Sequence, residues 1–78
     1  PVVIGRSFGG IAIETEEHAV IFFNAFEMHC DAHASTKAEL KAIKDKSNAD
    51  IQDCRMLFPD VGDKITAYIQ KKVKSLSA

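Results

Sequence analysis

The run at residues 19–33, AVIFFNAFEMHCDAH, constrains this chain more than any other stretch. It holds Phe22, Phe23, Phe26 and Met28, one of the two cysteines and two of the three histidines. Placed on a helix at ~100° per residue, Ala19, Phe22, Phe23, Phe26 and Cys30 share one arc, with His29 and His33 beside it. Ile21, Ala25 and Met28 extend the apolar surface, leaving Glu17, Asn24, Glu27 and Asp31 to hold the wet edge with Val20. A helix apolar over most of its circumference is normally surrounded by other elements. Thr15 followed by Glu16 and Glu17 supplies an N-cap and first-turn acid, and Ala34-Ser35-Thr36 breaks the register at the far end. The run therefore predicts a central core helix over about residues 15–34.

The segment before it, PVVIGRSFGGIAI, does not read as helix. β-Branched residues Val2, Val3 and Ile4 are followed by Gly5 and the Gly9-Gly10 pair, which interrupt regular structure. It is expected to be an extended arm over residues 1–13. A phosphate loop is excluded, because no Lys-Ser/Thr follows the glycines and the dinucleotide-binding spacing is absent. A chain opening at Pro1 reads as one processed from a precursor or trimmed of its initiator Met.

Beyond the core helix, Thr36-Lys37-Ala38-Glu39 has the hydroxyl-to-Glu spacing of a capping box. Leu40, Ile43, Ser47, Ile51, Cys54 and Phe58 keep a three–four spacing that would allow one long helix. Ser47 and Asn48, however, are both good N-caps, and a fresh helix from Ala49 would follow naturally. The cysteines bear on that choice. In an unbroken hairpin Cys54 would lie ~20 Å along the axis from Cys30, whereas a disulfide needs Cα atoms within ~7 Å. A break at Ser47-Asn48 lets Cys54 return to the level of Cys30. The reading chosen is a break together with a Cys30–Cys54 disulfide, which suits a small chain with a thin core in an oxidising compartment. Phe58-Pro59 closes that helix, residues 60–63 form a turn, and a last helix runs from about Asp63 to Ser75 with Ile65, Tyr68, Ile69 and Val73 inward.

The predicted fold is mainly α: a small bundle of about four helices around a central apolar helix, with an extended Gly-rich N-terminal arm. Pairing of the arm as strands would make it α+β. One domain is expected, with the arm at 1–13 and the bundle at 15–76, as 78 residues allow.

Formal net charge is −1, and basic residues are not interleaved with aromatics, which argues against nucleic acid as a partner. No apolar run is long enough to span a bilayer. No nucleophile stands with a base and an orienting group, so no enzyme activity and no cofactor are expected. His29 and His33, four apart, could share a divalent metal, with His18, Glu27, Asp50 or Asp53 as a third ligand. Cys30 occupies the place of the catalytic Glu in the zincin pattern. The expectation is the plainer one, that both rings are half buried at the edge of the core and bind no metal.

The functional expectation is a small secreted, non-catalytic helical protein acting through protein–protein interaction: a toxin, effector, signal-like module or assembly subunit. Its partner is another protein or a copy of itself, met by the apolar residues Val2, Val3, Ile4, Phe8, Ile11 and Ile13. The alternatives are a carrier of a small apolar ligand, in a pocket lined by Phe22, Phe23, Phe26, Phe58 and Tyr68, and a metal-binding protein using His29 and His33.

Overall fold

A computed structural model describes residues 12–76. Four helices follow in order: α1 (Glu16–His33), α2 (Lys37–Lys46), α3 (Asn48–Leu57) and α4 (Pro59–Ser75). No strand occurs among the described residues, so the bundle expectation holds for them. Of the arm nominated over residues 1–13, residues 1–11, and with them the strand-pairing alternative, lie outside the described part.

The capping signals are realised in α1 and α2. Thr15 is extended and its hydroxyl accepts from the His18 backbone N–H, while Ala34 closes the helix. Thr36 and Glu39 form the complete capping box, each side chain accepting from the other's backbone N–H. The connection between these helices is short because each terminus satisfies its own exposed backbone groups.

Ser47 does break the helix, though not by side-chain capping. It serves as C-cap of α2 and N-cap of α3 with φ −95° and ψ 6°, and its hydroxyl caps no backbone N–H. Its backbone N–H donates to the Ile43 carbonyl, and the Ile51 N–H donates to the Ser47 carbonyl. The hydrogen-bonding pattern thus passes through a kink at a buried residue.

The start of α4 departs from expectation. Residues 60–63 are not a turn but the first helical turn, because Pro59 stands at N1, where its missing N–H costs nothing and its fixed φ already suits a helix. Val61 and Gly62 are buried there. Two of the four helices are therefore long, α1 with 18 residues and α4 with 17.

One core joins Ala19, Phe22, Phe26 and Cys30 of α1 with Leu40, Ile51, Cys54, Val61, Ile65 and Ile69. The arc expected for α1 is the buried one; on the apolar back Ile21 and Ala25 are half-buried while Met28 is 72 % exposed, and Val20 on the wet edge is 40 % exposed. The closest helix pairing is α3 with α4 rather than any pairing of α1. Ile13, nominated for a partner surface, is instead part of the core.

The predicted disulfide is corrected. Cys30 and Cys54 are both free and both fully buried. The chain breaks at Ser47 as a disulfide would have required, yet α3 returns against α2 and α4, and α1 makes its main contacts with those same two helices. The break and the bond are independent features, and both thiols serve as small apolar core groups.

Candidate functional site

The aromatic residues nominated as a ligand pocket are packed against one another. Phe22 and Phe26 are fully buried with ring centroids 6.0 Å apart. Tyr68 meets Phe23 and Phe26 edge-on at 6.3 and 6.2 Å. These distances lie in the favourable range for aromatic pairs. Phe58 is half-buried against the same core.

Tyr68 also has a polar end. Its hydroxyl donates to Asp31 Oδ1 at 2.6 Å and lies 3.2 Å from the Glu27 carbonyl oxygen. Lys72 Nζ approaches the same Asp31 oxygen at 3.3 Å. The Tyr68 hydrogen bond, and then Lys72, hold the Asp31 carboxyl below its ordinary range. Burial, followed by the adjacent Asp31 carboxylate, pushes the Tyr68 phenol up. A cavity of about 350 Å³ opens beside this group, lined by both acids, Tyr68, Lys71, Lys72 and Ser75. The cluster fastens α1 to α4. It contains no activated nucleophile, since a phenol held protonated and hydrogen-bonded is a poor one.

A second depression runs between α2 and α4. Leu40, Ile69 and Val73 form its floor, and Lys37, Lys41 and Lys44 its rim, around a volume of about 150 Å³. It adjoins a shallower hollow that shares Ile69 and Val73 and adds Gln70 and Lys74. Lys41 is paired with Asp45 at 2.9 Å across one helical turn. Net charge conceals this region. Residues 12–35 carry Glu14, Glu16, Glu17, Glu27 and Asp31 without a single Lys or Arg, while α2 and residues 71–74 carry seven of the ten basic side chains. Opposite charges are thus separated along the sequence of a nearly neutral chain, and the fold brings some of them together where Lys72 meets Asp31.

The histidines are not as expected. Both His29 and His33 are exposed rather than half-buried, and their rings stack obliquely with centroids 4.6 Å apart. Partial desolvation, then His33, then Lys46 lower the pKa of His29. His18 lies apart, its Nδ1 accepting from the Glu14 backbone N–H at the opposite end of α1. Among the described residues no group of three His, Cys, Asp or Glu side chains converges to enclose a metal.

The thiols are poorly suited to catalysis. Burial pushes Cys30 up to about 11, and burial with Asp50 and Asp53 does the same for Cys54. A thiol in that range is almost wholly protonated at neutral pH. Asp50, read from sequence as a metal ligand or a solvated acid, is fully buried in the first turn of α3. Among the described residues no buried side-chain polar atom lacks a hydrogen-bond partner. Its burial had a sequence signal: it lies four residues before Cys54 and beside Ile51, on the inward stripe.

No helix among the described residues is long and apolar enough to cross a membrane. Comparison with protein-family models, curated proteins and solved structures finds no match to this chain.

Proposed function

We propose that this chain is a non-catalytic binding protein that receives an acidic, amphipathic helix of another protein in the groove between α2 and α4. The observation that carries the reading is the composition of that groove: an apolar floor of Leu40, Ile69 and Val73 under a rim of Lys37, Lys41 and Lys44. Helix-in-groove recognition needs apolar anchors at i, i+3 or i+4 and i+7, and flanking charge selects the partner. Val73 on that floor is 37 % exposed. Among the described residues no aromatic side chain lines the groove, which gives the bases of a nucleic acid no stacking platform there.

The raised thiols and the phenol held in a hydrogen bond support a non-catalytic role. Unpaired cysteines withdraw the disulfide from the argument for secretion, and the binding role does not depend on compartment. Toxin, effector, signal-like module and assembly subunit are all roles that such a groove would serve. The apolar residues Val2, Val3, Ile4, Phe8 and Ile11, first nominated for the partner surface, lie outside the described part.

The test uses a synthetic helix with leucines at i, i+3 and i+7 and glutamates elsewhere, against a scrambled peptide of the same composition. The ordered peptide is expected to shift the methyl resonances of Leu40, Ile69 and Val73, to weaken with added salt, and to lose affinity in a K37E/K41E/K44E variant. Equal binding of the scrambled peptide, or shifts confined to other residues, would refute the reading. Sedimentation of the protein alone shows whether a second copy competes for the groove.

A further inference from the structure

We propose that His29 and His33 together form a binding site for a divalent late transition-metal ion, holding copper(II) more tightly than nickel(II) or zinc(II). The two residues are one helical turn apart on α1, both rings are exposed, and their centroids are 4.6 Å apart. Each imidazole needs to offer one neutral nitrogen, and a pair at i and i+4 brings two such nitrogens to one ion without rearranging the backbone. The helix therefore holds the two rings within reach of one ion in advance.

The ligand set defines the ion. Two imidazoles, joined among the described residues by no third His, Cys, Asp or Glu, make an open site whose remaining positions water can fill, which suits copper(II) or nickel(II) and does not make a closed zinc site. Cys30 takes no part, because it is buried in the core between the two histidines in sequence. Binding is thus open, exchangeable and of moderate strength.

Charge around the pair tunes it. Lys46 of α2 acts on His29 together with His33, and both make protonation of His29 harder. The same lysine opposes an incoming cation, so its removal should strengthen binding. The pair shares no residue with the lysine-rimmed groove, and either proposal can fail without the other.

The experiment is a calorimetric titration of the full chain with copper(II) at pH 7.4 in a non-coordinating buffer, with electron paramagnetic resonance to count bound nitrogens. One copper per chain is expected, with affinity in the order copper, nickel, zinc. His29→Ala and His33→Ala should each weaken copper by about tenfold or more, because each removes the chelate. Lys46→Gln should tighten it by about two- to threefold. His18→Ala should leave it unchanged. Affinity should fall as the pH is lowered, because protons compete with copper for ring nitrogens. The substitutions lie on an exposed helix face, and unchanged circular dichroism verifies the fold. Copper affinity that survives His29→Ala and His33→Ala, or a loss caused only by His18→Ala, would overturn the assignment. So would the absence of any nitrogen-coordinated copper in the parent protein.

Discussion

Gly62 lies so close to Arg55 that a Cβ on it would stand 2.8 Å from the Arg55 Cα and 2.8 Å from its Cγ. The backbones of α3 and α4 touch at this point, just after Pro59 turns the chain. Arg55 then reaches over the contact, its Nη2 donating to Thr66 Oγ1 at 2.9 Å. The tightest helix pairing of the bundle depends on a missing side chain.

Gly62→Ala is therefore expected to destabilise the protein by about 2–3 kcal/mol, although alanine is the better helix former. Thermal or urea unfolding measures it. Because the Arg55 backbone nitrogen is also only 3.2 Å from the added carbon, trimming Arg55 to Ala should not rescue the variant. A stabilised Gly62→Ala protein would show that α3 and α4 do not approach this closely.

Tyr68→Phe should keep the aromatic packing and lose the hydrogen bond to Asp31. The expected stability loss is small, because Asp31 is largely exposed and solvent screens the bond. Asp31 should then titrate closer to its ordinary value, which carboxyl NMR reads directly. A carboxyl titration that does not move would remove the Tyr68 bond as its leading cause.

Neither cysteine should be alkylated by iodoacetamide in the native protein at pH 7.5, and both should react in denaturant. The folded pKa of each thiol, about 11, lies above the ordinary 9.0. The unfolded chain therefore loses these protons first as pH rises. The thiol contribution to stability is complete below about pH 9 and is lost between about pH 9 and 11. The raised Tyr68 phenol acts in the same direction at higher pH. Urea midpoints that stay level from pH 8 to pH 11 would contradict this.

Asp50→Ala should cost about 1–3 kcal/mol, since it removes a buried, hydrogen-bonded group from the first turn of α3. Gln52→Ala, on the exposed side of the same helix, should change stability by less than about 0.5 kcal/mol. Equal urea midpoints for the two variants would show that the Asp50 interactions contribute nothing net.

Local chemistry in the sequence determined the helical class, the caps at Thr15 and Thr36 and the buried arc of α1, whereas it allowed the break at Ser47 without requiring it. Each rests on residues within about one turn of one another, where periodicity and capping act directly. Pro59 at N1 and Asp50 on the inward stripe were also legible, but Pro59 was read only as a stop and Asp50 only as a charge. Tertiary structure alone decided how the helices met. Cys30 and Cys54 share one core, and the structure leaves both free. Gly62 became indispensable only because the Arg55 backbone lies over it. Tyr68 found Asp31 across 37 positions of chain, and the lysines of α2 became the rim of a groove only when Ile69 and Val73 came beneath them. Spacing along a helix reports which face a residue occupies, whereas the neighbour on that face is set by interhelical packing, which spacing does not encode.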